Sequence, residues 1–367
     1  MLRIVKKGEI YKKDSIKIKA IAIVLSLIVV GIFIFSLGLN PLKVYTSMIE
    51  GAFGSEYKIK QTIIKAIPLL ITALGISIAF KMQFQNIGGE GQIIMGAFAA
   101  SCFALNFHNL PKPILLIIMA VSAMIAGGLW AIIPAFLKIK WGTNETIVTL
   151  MMNYIALNWI TFLQFDLWKD PNAGGFPRIA SFNDNAILPK VFGVHIGWII
   201  AIVLTIVTYI FMKYSKKGYE ISVLGESEST AKYAGINIKE TIITAVFISG
   251  GLCGLVGMIQ ASAVSNTLSV EVTGGVGFTA IIISWLASLS APIIFITSIL
   301  FAALVQGGTY IQVAFGIPSA AASVLQGTIL FFVLGSEFFI KYSVIFHKHN
   351  KIRSRSKVLK EAGEWIQ

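Results

Sequence analysis

The segment 86–92, with the sequence NIGGEGQ, holds the first residues of this chain whose types and spacing could do chemistry. A carboxylate and two amides, from Glu90, Asn86 and Gln92, stand among three glycines just before a long apolar run. Ionisable side chains in such a place are costly and are usually functional or paired. Glycines so closely spaced favour an unwound helix entry or a close helix contact, and discontinuous helices commonly form gates in transporters. The pattern predicts a gate or pathway lining made of Asn86, Gly88, Gly89, Glu90 and Gln92.

A second polar group opens another apolar run, in the sequence GTNETIVTLMMNYIA at 142–156. Asn144 and Glu145 stand at its start, and Asn153 continues one helical face. We predict that Asn144, Glu145 and Asn153 line the same pathway. The alternative is that Glu90 and Glu145 cap helix N-termini by accepting hydrogen bonds from backbone amides.

Several other chemistries are excluded by spacing. A G-x-G-x-x-G motif starting at Gly89 fails at Ile94, and the chain has no Gly-Lys dipeptide, so it carries no P-loop for ATP. The histidines are scattered and fit no zinc-protease motif: His108, His195, His347 and His349. Cys102 and Cys253 lie inside apolar runs without metal-ligand spacing. We therefore predict no catalytic residue, no metal site and no cofactor bound by this chain.

The elements that position these residues are long apolar helices. The chain is 56% hydrophobic and 13% charged, with a mean hydropathy of +0.80. Its apolar runs reach the roughly 20 residues that a helix needs to cross a bilayer, and the alternation of a β-barrel is absent. The sequence predicts an all-α polytopic membrane protein with ten spans, at about 20–39, 62–80, 87–107, 113–137, 144–166, 196–213, 239–262, 276–290, 292–309 and 319–340.

The basic residues predict the orientation of these spans. With the N-terminus inside, 22 of the 30 lysines and arginines fall on inner segments and 8 on outer ones. This bias is typical of cytoplasmic loops, so it accounts for the net charge of +13 without a nucleic-acid partner. We expect a basic cytoplasmic N-terminus at 1–19, a membrane domain at 20–340 and a basic cytoplasmic tail at 341–367. The first span is read as a retained anchor, not a signal peptide.

Three segments between spans carry structure of their own. Residues 41–60 place Tyr45, Met48, Ile49, Ala52 and Phe53 at helical spacing, which suits an amphipathic helix on the outer surface or a helical start to the next span. Residues 167–195 form an irregular outer loop, which is either a partner contact or a passive cap.

The inner loop 214–238 predicts a short helix. Ser227 suits its N-cap, Glu228 its first turn and Gly235 its end. A compact helix of this kind between two spans can dock into a partner's groove, and the alternative is a solvated connector. Two similar tetrapeptides, GGEG at 88–91 and GGVG at 274–277, stand at the start of the third and eighth predicted spans. This weak internal similarity fits an inverted five-plus-five repeat.

These stretches resemble the permease subunits of nucleoside and simple-sugar ABC importers, a branch of the ribose and branched-chain amino-acid permeases. The likeness is closest to permeases paired with nucleoside-binding basic-membrane-protein lipoproteins, and it covers about residues 20–340. The stretches that carry it are EGAFGSEY at 50–57, IKAIPLLITALGISIAFKMQFQNIGGEGQIIMGAFAA at 64–100, GTNETIVTLMMNYIA at 142–156 and GYEISVLGESESTAKYAGINI at 218–238.

The resemblance implies partners that this chain lacks. They are an ATPase with two nucleotide-binding halves that uses ATP with magnesium, a second permease subunit and an extracytoplasmic lipoprotein, all at a bacterial cytoplasmic membrane. It also implies a coupling segment, carried over onto this chain as Gly225, Ala231, Tyr233, Ala234, Gly235 and Ile236. Ser227 and Glu228 join the predicted coupling residues through the short helix that they open. Where the family tends to have Pro-Glu-Ala-Ala, this chain has Glu228, Ser229, Thr230 and Ala231, so its acidic residue lies one position early.

The implied function is the passage of a nucleoside, with a purine nucleoside favoured, and no enzymatic step in this subunit. Few charges lie within the spans, which suits a neutral polar ligand and disfavours ion pumping. A simple-sugar permease is the alternative within this class. A stand-alone secondary transporter and a membrane enzyme are alternatives from other classes, and they would require paired membrane acids or a catalytic cluster.

Overall fold

The computed structural model describes residues 2–6, 12–171 and 173–346. They form thirteen α-helices and four short strands in two compact units, one made of the two chain ends and one made of residues 39–326. The helices of the larger unit are α2 (Pro41–Phe53), α3 (Glu56–Lys81), α4 (Gly89–Asn106), α5 (Lys112–Trp141), α6 (Glu145–Phe162), α7 (Gly197–Tyr214), α8 (Lys216–Glu226), α9 (Glu228–Tyr233), α10 (Ile238–Ile259), α11 (Val276–Leu286) and α12 (Ala291–Phe315).

The unit made of the chain ends, residues 1–38 and 327–367, contains α1 (Lys12–Ser36) and most of α13 (Ser319–Lys341). Strand β1 (Leu2–Lys6) pairs antiparallel with β4 (Tyr342–Phe346), with Leu2 opposite Phe346. The ladder places Lys6 opposite Tyr342, the residue that follows α13. Their position on the cytoplasmic side stays a prediction, and the segments 7–11 and 347–367 of the predicted N-terminus and tail lie outside the described residues.

Seven described helices are long and apolar enough to cross a membrane, or eight if α1 and α2 count as one span. The polytopic helical fold is therefore confirmed, while the count of ten stays a prediction. Each predicted span falls on a helix, but α11 has only 11 residues. At about 1.5 Å per residue it covers about 16 Å, half of a bilayer core. The span predicted at 276–290 is therefore a half-length helix followed by a turn.

Helices α3 and α10 form the centre of the larger unit, because they are the spans with the largest buried share. Helix α10 is packed by α4 and α5 through small residues. A Cβ at Gly254 would collide with the carbonyl oxygen of Ala123 on α5, and a Cβ at Gly96 on α4 would collide with the backbone of Gly254. Such close backbone approach is the usual way in which membrane helices associate.

The segment predicted as an amphipathic helix at 41–60 is a separate helix, α2, which ends before α3 begins at Glu56. The face of α2 that packs against the protein only partly coincides with the apolar set that the sequence singled out. Val44 and Gly51 are buried together with Met48 and Ala52, whereas Ile49 is 65% exposed. The reason is that α2 packs on α12, where a Cβ at Gly51 would collide with the ring of Tyr310.

The outer loop is only partly irregular. It begins with a π-helical turn at Leu163–Leu167 and contains a short hairpin of β2 (Lys190–Val191) and β3 (Val194–His195). Phe182 N donates to Asn266 O, and Leu188 N donates to the Ser262 hydroxyl, so the loop is fixed to the π-helical segment Gln260–Ser265 that follows α10 and to the residue after it. This packing favours the reading of the loop as a cap on the helices, and a role in partner contact stays a prediction.

Candidate functional site

The chain between α3 and α4 is not helical, and Asn86 organises it. This side chain is fully buried. Its Nδ2 donates to Gln92 Oε1 at 3.2 Å and to the Ser249 hydroxyl on α10 at 3.1 Å. Its Oδ1 accepts from Gly88 N at 3.1 Å and from Gln92 Nε2 at 2.9 Å. The amides of Asn86 and Gln92 therefore satisfy each other and hold the entry to α4 in place.

One face of α6 supplies hydrogen bonds to this interrupted backbone. Thr149 Oγ1 accepts from Ile87 N at 3.3 Å. Asn153 Nδ2 donates to Ile87 O at 3.0 Å, and its Oδ1 accepts from Gly91 N at 2.8 Å. Non-helical backbone persists at membrane depth only where other protein groups satisfy it. The spacing of four residues between Thr149 and Asn153 puts both on the same helix face.

The two residues that open α6 have different roles. Asn144 is the N-cap, and its Oδ1 accepts from Thr146 N at 3.0 Å and from Ile147 N at 3.3 Å. Glu145 forms an ion pair with Lys138 on α5 at 2.6 Å, and its Oε1 also lies 3.5 Å from Gln85 N. The N-cap of α6 is therefore Asn144 and not Glu145. Glu145 instead connects Lys138 on α5 to the non-helical segment between α3 and α4.

Glu90 caps a helix other than its own. Its side chain is 6% exposed, and its Oε1 accepts from Gly277 N at 2.8 Å and from Phe278 N at 3.4 Å. These amides belong to the first turn of α11, whose free N–H groups favour a negative charge. A Cβ at Gly89 would lie 3.5 Å from Gly277 Cα, so the similar tetrapeptides at 88–91 and 274–277 are in contact.

This junction lies well inside the helix bundle. Ser249, the partner of Asn86, is eleven residues beyond the start of α10 at Ile238, which is about 16 Å along the helix. Ser284 Oγ donates to Ala73 O, and Trp285 lies against Phe80, so α11 runs alongside the C-terminal half of α3. Two interrupted helices, α4 and α11, therefore begin near each other at depth, with Glu90 between them.

The inner loop forms two helices, α8 and α9, of which only α9 was predicted. Ser227 caps α9 by accepting from Thr230 N at 3.3 Å, and Gly235 ends it with a left-handed φ of +73°. Ala231 is fully buried, whereas Tyr233 is 94% exposed. The α9 helix is thus held against the protein by the small side chain of Ala231, and the side chains of Tyr233 and Glu228 are exposed.

Ion pairs fix this loop to α10. Lys217 Nζ lies 2.6 Å from Glu240 and 3.0 Å from Glu220. Hydrogen bonds to Glu240 and then to Glu220 raise the pKa of Lys217 above its ordinary value. Glu220 also accepts from the Thr241 hydroxyl at 3.3 Å. The α8 helix is therefore held against the first turn of α10.

The loop also contacts the break between α3 and α4. A Cβ at Gly225 would collide with the carbonyl oxygen of Lys81, the last residue of α3. A cavity of about 540 Å³ lies between these parts, and residues that line it include Met82, Gln83, Phe84, Lys138, Gly225 and Ser227. The predicted coupling residues and the predicted pathway residues are thus connected through the end of α3.

Sequence reasoning missed several partners at this site. Lys138 and Ser249 were not singled out, although a serine inside an apolar helix is a signal that could have found Ser249. The partnership of Glu90 with Gly277 required knowledge of the packing of α11. No group of three or more His, Cys, Asp or Glu side chains that could hold a metal occurs within the part of the chain that the structure describes.

Residues 58–334 match the family described as "Branched-chain amino acid transport system / permease component". The chain is 32% identical to the glucose ABC transporter permease protein TsgB13 of Haloferax volcanii, with 88% of each chain covered. It is 30% identical to the nucleoside ABC transporter permease protein NupB of Lactococcus lactis subsp. cremoris, with 96% and 99% covered. It is 29% identical to the guanosine ABC transporter permease protein NupP of Bacillus subtilis, with 86% and 92% covered.

Proposed function

The chain belongs to the permease family of branched-chain amino acid transport systems and is a permease of an ABC importer, and from this premise we propose that it conducts a nucleoside, with a purine nucleoside favoured. The junction of α4 and α11 at Glu90 is the structural observation behind this assignment. Interrupted helices that meet at depth are where transporters commonly place substrate sites and gates.

The chemistry of the junction suits a neutral polar ligand. Its side chains are amides, hydroxyls and one carboxylate, and that carboxylate is already bound to the amides of α11. A nucleoside offers the hydroxyls and ring nitrogens that such groups bind. Two of the relatives carry guanosine or nucleoside in their names, and the glucose permease, at 32% identity, makes a simple sugar the second candidate.

Coupling to ATP would run through α9. In this proposal a separate ATPase with two nucleotide-binding halves, using ATP and magnesium, contacts the exposed face around Tyr233. Its motion passes from Gly225 to the Lys81 backbone and into the break that Asn86 holds. Alternating access then requires only that the two conformers of the junction be stabilised differently by the ATPase.

The remaining partners are part of the same proposal. The chain acts in the bacterial cytoplasmic membrane beside a second, non-identical permease subunit, and it receives ligand from an extracytoplasmic lipoprotein. Among the relatives, Bacillus subtilis has guanosine permeases named NupP and NupQ, which match this chain at 29% and 28% identity. Two permeases named for one ligand support a heterodimer.

The test is reconstitution of the purified assembly. We would isolate the chain from its native membrane in mild detergent, identify co-purifying proteins by mass spectrometry and place the assembly in liposomes with ATP inside or outside. We expect an ATPase, a second permease and ATP-dependent uptake of guanosine that unlabelled glucose does not inhibit. Inhibition by glucose but not by nucleosides would favour the sugar permease. Uptake by the chain alone without ATP would overturn the proposal in favour of a secondary transporter.

A further inference from the structure

A second polar cavity, of about 290 Å³, lies away from the Glu90 junction. It is bounded by the last turns of α3 and α7, by α8 and by the turn that leads into α12. The residues that line it include Ser77, Lys81, Thr208, Lys213, Ser222 and Ser290. None of the described residues that line it is acidic. The lysine bias of the chain places this end of the helices at the cytoplasmic surface.

The cavity has two lysines available for an anion. Lys81 makes no ion pair or hydrogen bond through its side chain within the part of the chain that the structure describes. Lys213 donates to the Tyr209 hydroxyl at 2.9 Å and has no carboxylate partner among the described residues. Tyr209 is itself an exposed aromatic residue, the type that is enriched at the membrane–water interface.

Hydroxyl groups that lack partners face the same space. Thr208 is only 4% exposed and lines the cavity, yet among the described residues its hydroxyl has no hydrogen-bond partner. Ser290 is the N-cap of the 25-residue helix α12, but its side chain makes no capping hydrogen bond. These hydroxyls, together with the free N–H groups at the start of α12, form donors for an anion.

A separate apolar groove lies further along the same helices. It has a volume of about 240 Å³, and residues that line it include Ala66, Leu70, Trp198, Ile202, Phe295 and Ile299. Leu70 in the groove and Ser77 in the cavity are seven residues apart on α3, which is about 10 Å. A polar, cationic pocket and an apolar groove on α3, α7 and α12 fit a ligand with a phosphate at one end and a hydrocarbon chain at the other.

We propose that this cavity binds the phosphate headgroup of an anionic phospholipid from the inner leaflet, with one acyl chain in the groove between α3, α7 and α12. Basic pockets between helices on the cytoplasmic side are suited to anionic headgroups. The juxtaposition of Lys81 and Lys213 with the unpartnered Thr208 hydroxyl carries this assignment, and it does not depend on which ligand the permease conducts.

Native mass spectrometry of the detergent-purified assembly tests the site. We would titrate it with phosphatidylglycerol and, separately, with phosphatidylcholine of the same acyl chains. We expect one phosphatidylglycerol to bind more tightly than phosphatidylcholine. Lys81→Gln or Lys213→Gln should each weaken phosphatidylglycerol about fivefold, and the double variant about thirtyfold. Thr208→Val, which keeps the side-chain shape, should weaken it by a smaller factor.

Lys140→Gln is the matched control, because Lys140 is an exposed lysine at the same predicted side of the membrane, on α5 and outside the cavity. It should bind phosphatidylglycerol as the unchanged assembly does. Equal affinity in the Lys81→Gln, Lys213→Gln double variant would overturn the proposal. Glycerol phosphate is added as a competitor for phosphatidylglycerol. If it binds the cavity as tightly as the lipid does, the proposal is overturned in favour of a soluble anion. Binding that appears only after the ATPase is removed would show that a protein covers this cavity instead.

Discussion

At the scale of single residues, the carboxylate of Glu90 has one main task, to accept hydrogen bonds from the first amides of α11. Sequence reasoning identified Glu90 as costly in its position and offered either a gate or a helix cap. The geometry shows a cap, on α11 and not on the helix of Glu90 itself, and the role of Glu90 as a gate stays a prediction. A movement that separates α4 from α11 must therefore break these hydrogen bonds.

Glu90→Gln keeps an acceptor oxygen and removes the charge, whereas Glu90→Ala removes both. Hydrogen bonds to a charged group contribute about 2 kcal/mol, and their loss leaves the amides of α11 unsatisfied. We expect the melting temperature and the ATP-driven uptake to fall in the order unchanged chain, Gln variant, Ala variant. Glu271→Gln, at an exposed position outside α9, is the control. Wild-type uptake and stability in both Glu90 variants would contradict a role for this contact.

Gly235 ends α9 at a φ of +73°, where side chains with a Cβ are strained. Gly235→Val should shift the end of α9 and abolish ligand-stimulated ATP hydrolysis, while the chain stays in the membrane. Gly174→Val is the matched control, since Gly174 has a φ of +59°, has no atom within 4 Å of a Cβ and lies in the outer loop. Normal stimulation in Gly235→Val would contradict docking of the ATPase at α9.

His195 in the outer hairpin is 3% exposed, and neither ring nitrogen has a partner among the described residues. Burial, with a smaller contribution from Lys190, lowers its pKa from 6.5 to about 4. The unfolded chain therefore binds more protons between these values, so stability falls as the pH drops from 6.5 towards 4 and is constant above that window.

The pH dependence of His195 is measurable by thermal unfolding in detergent, followed by tryptophan fluorescence. Lowering the pH from 7 to 5 should reduce the stability by up to about 2 kcal/mol through this group. His195→Gln should remove most of that dependence, and His108→Gln, at an exposed loop position, should not. If the His195→Gln chain shows the same loss of stability between pH 7 and pH 5 as the unchanged chain, another group causes that loss.

At the scale of elements, hydropathy located the helices but not their lengths or faces. It placed α10 and α12 correctly because a span of about 20 apolar residues has few alternatives in a membrane. It gave α11 a full crossing because Ala287 and Leu289 extend the apolar run of α11 into the turn at 287–290. It missed α8, where the mean hydropathy is low, and it could not indicate that α2 contacts α12 through Gly51.

The α4–α5–α10 cluster offers a test of packing through small residues. Gly254→Ala introduces a Cβ against the carbonyl of Ala123, which belongs to rigid helix backbone, so the helices must separate. Gly251→Ala on the same helix is the control, because its nearest neighbour, the carbonyl of Met124, is 3.3 Å from a Cβ and leaves more room. We expect a melting temperature several degrees lower for Gly254→Ala than for Gly251→Ala. Equal values would show that the cluster adapts without cost.

At the scale of the whole molecule, the sequence predicts orientation from charge alone, and the fold makes that prediction testable. Single cysteines are introduced as Ser229→Cys in α9 and as Phe176→Cys in the outer loop, both at exposed positions. The background carries Cys102→Ala and Cys253→Ala. A membrane-impermeant maleimide should label the Phe176→Cys chain in intact cells and the Ser229→Cys chain only in inverted vesicles. Labelling of Ser229→Cys in intact cells and of Phe176→Cys only in inverted vesicles would show that the chain has the opposite orientation.

The polytopic helical fold and the permease family could be read from the sequence, since both rest on long apolar runs and local motifs. The site could be read only in part. Asn86, Glu90 and Asn153 were found because polar groups are rare in apolar helices, but their partners Ser249 and Gly277 lie far along the chain. Pairing of that kind depends on how helices pack, which a single sequence does not encode locally.

The ladder of β1 and β4 has a kinetic consequence. It joins Lys6 to Tyr342, residues more than three hundred positions apart, so it can close only after the last helix has been synthesised and inserted. Closing so large a loop is slow and entropically costly, and contacts of such high sequence separation form late. A fluorescence donor and acceptor placed on these two strands would therefore report when the strands pair. That moment comes only after every helix from α1 to α13 has been made.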